Sequence, residues 1–308
     1  MKFLNNIFKI LKKDRSNQKI DDLIVSLTSY PDRINIVHKV VESLLNQTIK
    51  PEKIILWLAD SQFPNKENDL PKELLDLRND IFEIDWCNDI RSYKKLIPTL
   101  KKYLDNIIIT CDDDIIYEND RLERLYKVHK KYPSDIVCHR AHYILLNKNK
   151  QIKPYEEWDF ECFGELYSYN VFPTTGAMVL YPPNSFYKDV LNNDIFMSNC
   201  EDTDDIWFWA MAVLNNKKLR LIKNNINNIN IIDSVQDKAL YKTNIYDGKN
   251  DENLRKIIDK YPIILSKLTP KKPIRILDEI FSIRYKQQHK IITILGIKIK
   301  LRSKNDKS

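Results

Sequence analysis

Three consecutive aspartates, Asp112, Asp113 and Asp114, are the residues whose types and spacing point most directly to chemistry. They follow Ile107 to Thr110, a β-branched run with polar neighbours that predicts a buried strand. Open α/β sheets bind ligands beyond the carboxyl ends of their strands, which is where this cluster would lie. Because adjacent carboxylates repel one another, the cluster favours a cation, most naturally a divalent ion with oxygen ligands. A solvated acidic turn is the alternative, and the preceding strand favours the site.

Polar residues also follow the three strands predicted before this cluster. The first strand leads into Thr28 to Arg33, the second ends at Asp60, and the third is followed by Asp89 to Lys95. Parallel strands place their carboxyl ends at one edge of a sheet, so these residues should share the edge of the acid cluster. Aspartates for a ribose and base, Arg33 or Lys95 for phosphates, and a metal-binding pair together predict a site for a nucleoside diphosphate.

A second acidic motif, EDTDD, precedes a segment that is apolar almost all round and predicts a core helix. The motif offers four carboxylates as a general base: Glu201, Asp202, Asp204 and Asp205. Aspartates at a helix N-terminus also stabilise the helix without any catalytic role, and the pattern leaves both interpretations open.

The elements that must position these residues alternate between strands and helices, which predicts an α/β fold with a mostly parallel sheet. Later in the chain, PTTGAMVLYPP contains Gly176, one of only four glycines. A glycine after Thr175 indicates a place where the backbone must turn or approach a ligand.

The composition indicates a globular protein. The chain has 308 residues, of which 43% are hydrophobic and 30% charged, and no apolar run is long enough to span a membrane. The N-terminal segment lacks a secretory core, so we expect a cytoplasmic protein. Five scattered cysteines without CxxC spacing argue against a disulfide framework or a zinc site.

The net charge of +7 is unevenly distributed along the chain. Residues 1–19 and 255–308 are strongly basic, whereas the body between them is acidic. This pattern does not predict a nucleic-acid surface and fits attraction to anionic lipid better. Residues 1–13 predict a basic amphipathic helix that either lies in a membrane interface or packs on the domain. Residues 297–301 alternate apolar and basic residues, which predicts one strand of a hairpin.

The ordered motifs VSLTSYPDR, WLAD, RSYKKLIPTLKKY, NIIITCDDDIIY, PTTGAMVLYP and DDIWFWAMA resemble those of GT-A fold glycosyltransferases. The resemblance is to the family 2-like enzymes of bacterial lipooligosaccharide and capsular polysaccharide biosynthesis. It covers residues 22–245 and implies a mixed, mostly parallel sheet flanked by helices, with a C-terminal helical and hairpin extension. We therefore expect three parts: a basic helix and linker (1–21), a GT-A catalytic domain (22–249) and a basic extension (250–308).

The resemblance also implies roles for particular residues. Nucleotide-sugar binding falls to Thr28, Arg33, Asp60, Lys95, Asp112 and Asp113, metal binding to Asp112 and Asp114, the catalytic base to Asp205 or Asp204, and the acceptor loop to Thr175 and Gly176. The metal would be Mn²⁺ or Mg²⁺, and the sequence does not choose between them. Enzymes of this kind complete the metal shell with a late residue, for which Asp233 and Gln236 are the candidates here.

Two further residue groups have alternative interpretations. His139 and His142 could ligate a metal, although packed histidines are favoured. Four aromatic residues, Trp158, Phe160, Phe163 and Tyr167, either form a platform for an acceptor sugar or pack in the core.

The sequence thus predicts a metal-dependent, inverting glycosyltransferase with a UDP-sugar donor, a glycan or lipid-linked glycan acceptor and peripheral contact with an anionic membrane. The alternatives are a nucleotidyltransferase acting on sugar phosphates and a non-catalytic glycan-binding or scaffold protein. The first normally has an early glycine-rich phosphate loop, whereas this chain has no glycine before Gly164.

Overall fold

The centre of the fold is an eight-stranded mixed sheet that packs against helices. The structure is a computed structural model that describes residues 18–223, 230–232 and 248–268, together with the backbone of residues 281–286, 289–294 and 297–302. The strands are β1 (Gln18–Thr28), β2 (Ile49–Ala59), β3 (Phe82–Cys87), β4 (Ile107–Thr110), β5 (Ile115–Ile116), β6 (Ile136–Cys138), β7 (Ala141–Tyr143), β8 (Leu166–Ser168), β9 (Val171–Pro173), β10 (Val179–Tyr181), β11 (Leu219–Leu221), β12 (Asn230–Ile231), β13 (Phe281–Lys286), β14 (His289–Ile294) and β15 (Ile297–Arg302). The helices of the described residues are α1 (Val37–Leu45), α2 (Lys72–Leu75), α3 (Ile97–Lys102), α4 (Arg121–Lys131), α5 (Asn193–Cys200), α6 (Asp204–Leu214), α7 (Lys249–Lys260) and α8 (Ile263–Lys267).

The order of strands in the main sheet is β3-β2-β1-β4-β10-β6-β11-β8. Neighbouring pairs among β1 to β4 are parallel, and so are β6 and β11. Strands β10 and β8 run antiparallel to their neighbours. The predicted fold class, an α/β fold with a mixed and mostly parallel sheet flanked by helices, is therefore confirmed.

The central strands are apolar because both of their faces are covered. All four residues of β4 are buried, as expected for a central strand with both faces covered. In β1, Leu23, Val25 and Leu27 join one buried cluster with residues of α1 and α4, while Ile24 lies in a separate cluster. Successive residues of a strand point to opposite faces, so this alternation fixes the register of β1.

The helix after the second acidic motif is buried on nearly all sides, as its sequence predicts. Trp207 and Trp209 are almost fully buried, and their indole nitrogens donate to the carbonyl oxygens of Val190 and Tyr169. A fully buried apolar side chain of this kind contributes about 1.5–3 kcal/mol. This packing fixes α6, and with it the position of the acids at its N-terminus.

Two segments differ from what their sequence pattern predicts. The pattern of residues 134–145, SDIVCHRAHYIL, predicts one strand, but the segment forms β6 and β7, because β7 leaves the main sheet and pairs with β9. The pattern from Ser92 to Tyr103 predicts a helix interrupted at Pro98, and the structure has a 3-10 turn at Arg91–Lys95 followed by α3. Pro98 lies in the first turn of α3, where its missing N–H leaves no helical hydrogen bond unmade.

The segments beside the predicted catalytic domain are partly described. Strand β1 begins at Gln18, so residues 18–20 of the predicted linker pair with β2. Helices α7 and α8 contribute Leu254, Ile257 and Ile264 to the same buried cluster as α6. The predicted helix at residues 1–13 lies outside the described residues.

The C-terminal strands β13, β14 and β15 form an antiparallel three-stranded sheet. The predicted hairpin is confirmed, since β14 and β15 pair with Ile294 opposite Ile297. Residues 281–286, which the sequence places in a partly helical segment, form its third strand. None of the helices in the described part of the chain has the length and apolar character needed to cross a membrane.

Candidate functional site

The carboxyl ends of β1 to β4 meet at one edge of the sheet, as predicted, because these strands pair in parallel. A cavity of about 780 Å³ lies there. The sequence-predicted residues that line it include Thr28, Arg33, Lys95, Asp112, Asp113, Asp114, His142, Phe160, Thr175, Gly176, Asp202, Asp204 and Asp205. The fold thus brings together two acidic motifs that are far apart in the sequence.

Asp113 anchors the acid cluster to the loop after β1. Ser29 Oγ donates to Asp113 Oδ2 at 2.6 Å, and Arg33 Nη1 donates to Asp113 Oδ1 at 2.8 Å. The same arginine nitrogen lies 2.9 Å from Asp114 Oδ2. Burial disfavours the guanidinium charge, but Asp113 and Asp114 outweigh it and raise the pKa of Arg33. The contacts of Arg33 are therefore carboxylates, and its predicted contact with a nucleotide stays a prediction.

Asp112 faces the cavity, with 35% of its side chain exposed. Its backbone N–H donates to the Tyr117 hydroxyl at 2.9 Å, and that hydroxyl donates to the carbonyl oxygen of Gly176. A Cβ added at Gly176 would lie 1.8 Å from Asp112 Oδ2. A side chain at this position would displace the Asp112 carboxylate, so glycine leaves that carboxylate in its place against the backbone.

Asp112 and Asp114 form an acidic pair whose charge a cation would relieve. Burial, and then the charge of Asp112, raise the pKa of Asp114 to about 6 even though Arg33 is adjacent. Proteins often hold Mg²⁺ by one or two carboxylates, with waters and substrate phosphates completing the shell, and Mn²⁺ suits the same oxygen ligands. The pair fits such an ion.

Within the described part of the chain, no group of three His, Cys, Asp or Glu residues is arranged around a metal position. The candidates Asp233 and Gln236 lie outside the described residues. The donor set on which the metal prediction depends is therefore Asp112 and Asp114.

Lys95 connects the two acidic motifs. Its Nζ lies 2.6 Å from Asp112 Oδ1, 3.2 Å from Asp204 Oδ2 and 3.1 Å from Thr175 Oγ1. The lysine is 5% exposed, and burial alone would lower its pKa. The charges of Asp112, Asp204 and Asp205 outweigh burial and raise the pKa of Lys95 well above its usual value. It therefore stays protonated between the two motifs.

The two aspartates at the start of α6 have different environments. Asp204 is buried, accepts a hydrogen bond from Ser92 Oγ at 2.8 Å and pairs with Lys95. Asp205 Oδ1 accepts from both the backbone N–H and the hydroxyl of Thr175, at 3.0 and 2.5 Å. Its Oδ2 has no hydrogen-bond partner among the described residues. Burial, and then the charge of Asp204, raise the pKa of Asp205 to about 7.

These environments separate two residues that the sequence leaves equivalent. A carboxylate whose pKa lies near neutral pH is suited to accept a proton there. Asp205 has that property, and its Oδ2 is left without a partner by the described residues, whereas Asp204 neutralises Lys95.

Two predicted nucleotide-binding residues lie elsewhere or make other contacts. Asp60 does not line the cavity. Its side chain is 48% exposed and pairs with Lys66. Gln62, two residues further along the chain, does line the cavity, and the predicted contact of Asp60 with a nucleotide stays a prediction. Thr28 lines the cavity, and its hydroxyl donates to the carbonyl oxygen of Trp57 at 2.8 Å.

Of the four aromatic residues proposed as a sugar platform, only Phe160 lines the cavity. Trp158 is fully buried in the core, while Phe163 and Tyr167 are exposed outside the cavity. The core interpretation therefore holds for Trp158, and the four rings do not form one platform.

The two histidines are packed and hydrogen-bonded, as the sequence favours. His139 Nε2 lies 3.0 Å from the carbonyl oxygen of Arg121, and His142 Nδ1 accepts from the N–H of Glu161 at 3.0 Å. Burial lowers the pKa of each to about 3, so both rings are neutral.

Three residues hold the acidic motifs although the sequence assigned them no such role: Ser29, Ser92 and Tyr117. Ser29 and Ser92 lie within the polar stretches Thr28 to Arg33 and Asp89 to Lys95, so their position after strand ends was a usable signal. Tyr117 shows no such signal, because its contact with Gly176 is long-range and depends on the insertion of β10 beside β4.

Comparison with known proteins gives a limited result. No protein-family model matches the chain, and no curated protein matches it. Among solved structures, the chain is similar to TarS residues 1–349 from S. aureus, alone and in complex with UDP-GlcNAc. Both comparisons have 14% identity and a TM-score of 0.44, and they cover 66% of this chain. The chain spans 58% and 56% of those two chains, and similarity at this level is too low to assign an activity.

Proposed function

We propose that this protein is a glycosyltransferase that transfers a sugar from a nucleotide-sugar donor, with a UDP-sugar expected, to a glycan acceptor. The observation that carries the proposal is one cavity that holds an acidic pair, a buried lysine and a second carboxylate with a pKa near 7. Transfer from a nucleotide sugar needs a neutralised diphosphate and a base for the acceptor hydroxyl. Both requirements have candidate residues in this cavity.

The donor diphosphate would lie beside Asp112, Asp114 and Lys95. Asp112 and Asp114 would hold Mn²⁺ or Mg²⁺, which would supply positive charge to the diphosphate leaving group. Lys95 is fixed by Asp112, Asp204 and Thr175, so its ammonium is already oriented before a donor binds. Such preorganised charge stabilises a leaving group without reorganisation during the reaction.

Asp205 would act as the base. Thr175 holds one carboxylate oxygen from two donors, which leaves Oδ2 to take the proton of the acceptor hydroxyl. A single positioned base fits direct displacement at the anomeric carbon, so the proposed reaction is inverting. Asp204 is a positioning residue, because it contacts Lys95 and Ser92.

The alternatives find less support in the site. A nucleotidyltransferase would use a glycine-rich phosphate loop, whereas the residues that follow β1 are Ser29, Tyr30 and Pro31, and Ser29 binds Asp113. A non-catalytic glycan-binding protein would have no use for a raised pKa at Asp205, which is an unfavourable arrangement for a purely structural carboxylate.

Incubation with a panel of UDP-sugars and Mn²⁺ or Mg²⁺, followed by measurement of released UDP, tests the proposal. The wild-type protein should release UDP with at least one donor, and Asp114→Ala should weaken metal-dependent UDP binding. Asp205→Asn should bind UDP as wild type does and release it at least ~100-fold more slowly, the scale of general-base catalysis. If the protein neither binds UDP nor releases it from any donor with either metal, the proposed enzymatic function is rejected.

We further propose that the acceptor is a surface glycan, lipooligosaccharide or capsule, and that the protein contacts an anionic membrane from the cytoplasmic side. The support is the basic sequence at both ends of the chain and the register of β14 and β15, in which Lys298, Lys300 and Arg302 occupy alternate positions. Vesicles with and without anionic lipid test this contact. Deletion of residues 1–13 and 284–308 should abolish binding to the anionic vesicles, and unchanged binding would contradict the proposal.

A further inference from the structure

We infer that the part of the cavity beyond Asp205, lined by His142, Tyr155, Phe160 and Thr174, is an acceptor subsite for an uncharged pyranose. The inference rests on the proposed glycosyltransferase function and adds the chemistry of the acceptor. These residues line the same cavity as the two acidic motifs.

The contacts within the cavity give an order to its residues. Asp112 contacts Lys95 at 2.6 Å, Lys95 contacts Thr175 at 3.1 Å, and Thr175 contacts Asp205 at 2.5 Å. Thr174 directly precedes Thr175, and its N–H donates to the carbonyl oxygen of Arg140 at 3.2 Å, beside β7. His142 of β7 contacts Phe160, and Phe160 contacts Tyr155, so Tyr155 follows Asp205 in this order. A donor diphosphate at Asp112 would therefore lie on one side of the base, and the residues around Tyr155 would lie on the acceptor side.

Aromatic rings form one wall of this part of the cavity. The ring centroids of His142 and Phe160 are 4.5 Å apart, and those of Tyr155 and Phe160 are 5.3 Å apart. Pairing of β7 with β9 places His142 opposite Phe172, which fixes the wall on a regular element. The C–H-bearing face of a pyranose is apolar and packs against aromatic surface, while its hydroxyls need hydrogen-bonding groups at the edge.

The polar groups beside this wall are neutral and unpaired within the described residues. His142 Nδ1 accepts from the N–H of Glu161, which assigns the ring proton to Nε2 and leaves that N–H as a donor. The Thr174 hydroxyl is buried without a hydrogen-bond partner. The Tyr155 hydroxyl has no partner among the described residues and stays protonated, because burial raises its pKa. Three neutral hydrogen-bonding groups thus lie beside an aromatic surface. Such groups can exchange hydrogen bonds with the hydroxyls of a sugar.

The charges nearby favour an uncharged ligand. Arg140 also lines this part of the cavity, but its Nη2 donates to Glu161 Oε1 at 2.6 Å. The pair is neutral as a whole, and the other charge in reach of Tyr155 includes the acids Asp205 and Asp251. A carboxylate or phosphate on the acceptor would face these acids without an unpaired cation.

Saturation-transfer NMR with the full chain, Mn²⁺ and UDP tests this subsite. The probes are the methyl glycosides of glucose, galactose and N-acetylglucosamine, with methyl glucuronide as the anionic counterpart. Tyr155→Phe and Thr174→Val each keep the shape of the side chain and remove one hydroxyl. Tyr169→Phe is the matched control, because the Tyr169 hydroxyl lies outside the cavity, near the carbonyl oxygen of Asn216.

At least one uncharged glycoside should give a signal, and each of the two cavity variants should weaken its binding about 2- to 10-fold, the loss expected for one neutral hydrogen bond. The control variant should bind as wild type does. UDP affinity, measured in parallel by calorimetry, should be the same in all four proteins.

Four outcomes would overturn the inference. If UDP binds but no uncharged glycoside does, or if both cavity variants bind the glycoside as wild type does, the subsite is rejected while the proposed function stands. If only the glucuronide binds, the charge argument from Arg140 and Glu161 is wrong. If UDP itself does not bind with either metal, the proposed function fails and the inference fails with it.

Discussion

Replacing Thr175 with valine is expected to raise the pKa of Asp205. The Thr175 hydroxyl donates to Asp205 Oδ1 at 2.5 Å, and the backbone N–H donates to the same oxygen at 3.0 Å. Both bonds favour the charged carboxylate and oppose burial, which raises the pKa to about 7. Valine keeps the β-branched shape and the N–H but removes the hydroxyl, so the protonated form of Asp205 becomes more favourable relative to the charged form.

The size of this shift follows from the lost bond. A hydrogen bond to a charged group contributes about 1.5–3 kcal/mol, and one pKa unit corresponds to about 1.4 kcal/mol, so the shift should be about 1–2 units upward. The retained N–H and the adjacent Lys95 still favour the charged carboxylate, so the pKa shift should lie towards the lower end of this range.

Carbon-13 NMR of labelled aspartate carboxyls measures this pKa without any substrate. Asp205→Asn assigns the signal, because the resonance that titrates near neutral pH should be missing in that variant. Thr175→Ser is the control, since it retains the hydroxyl and should titrate near the wild-type value. If Thr175→Val titrates at the same pH as wild type, the hydroxyl does not determine the charge state of Asp205, and the proposed orientation of the base is refuted.

Three other substitutions test the protonation of Asp205 and the extent of the UDP-binding site. The pKa of Asp205 is raised from 3.8 to about 7, so the folded protein retains a proton that the unfolded chain has lost, and the stability from this proton disappears as the pH rises towards 7. The free energy of unfolding of Asp205→Asn relative to wild type, measured in urea, should therefore grow by about 1.4 kcal/mol per pH unit between pH 4 and 7 and then level off. Gly176→Ala should weaken UDP binding with Mn²⁺ at least ~10-fold in calorimetry, because its Cβ would displace the Asp112 carboxylate, a loss of about 1.4 kcal/mol or more. Gly248→Ala is its control: it places alanine at φ +66° in open space, costs ~1 kcal/mol of stability and leaves UDP binding unchanged. Asp60→Ala should bind UDP as tightly as wild type, because that side chain lies outside the cavity.

Each of these expectations has a result that contradicts it. A stability difference between Asp205→Asn and wild type that is constant from pH 4 to 8 would rule out the raised pKa. Wild-type UDP affinity in Gly176→Ala would show that Asp112 does not need the space beside this glycine. Loss of UDP binding in Asp60→Ala would extend the site beyond the cavity and support the predicted role of Asp60 in nucleotide binding.

The sequence by itself determined the two acidic motifs and the elements that carry them, because both are encoded locally. A β-branched run before Asp112 predicts a strand with the acids at its carboxyl end. An apolar segment after Asp205 predicts a helix with the acids at its N-terminus. Parallel pairing then follows from alternation of strands and helices, and it brings the strand ends together. Within this local information, Asp204 and Asp205 are two equivalent acids, and Arg33 is a cation near a strand end.

Only the tertiary structure decided which partner each of these groups has. Strand β10 enters the sheet antiparallel between β4 and β6, and this insertion brings Thr175 beside Asp205 and Gly176 beside Asp112. The hydroxyl of Thr175 holds one acid of α6 while Lys95 pairs with the other, so two neighbours in sequence acquire different roles. Charge pairing and burial depend on distances of a few ångström between distant segments, which no local pattern of residues contains.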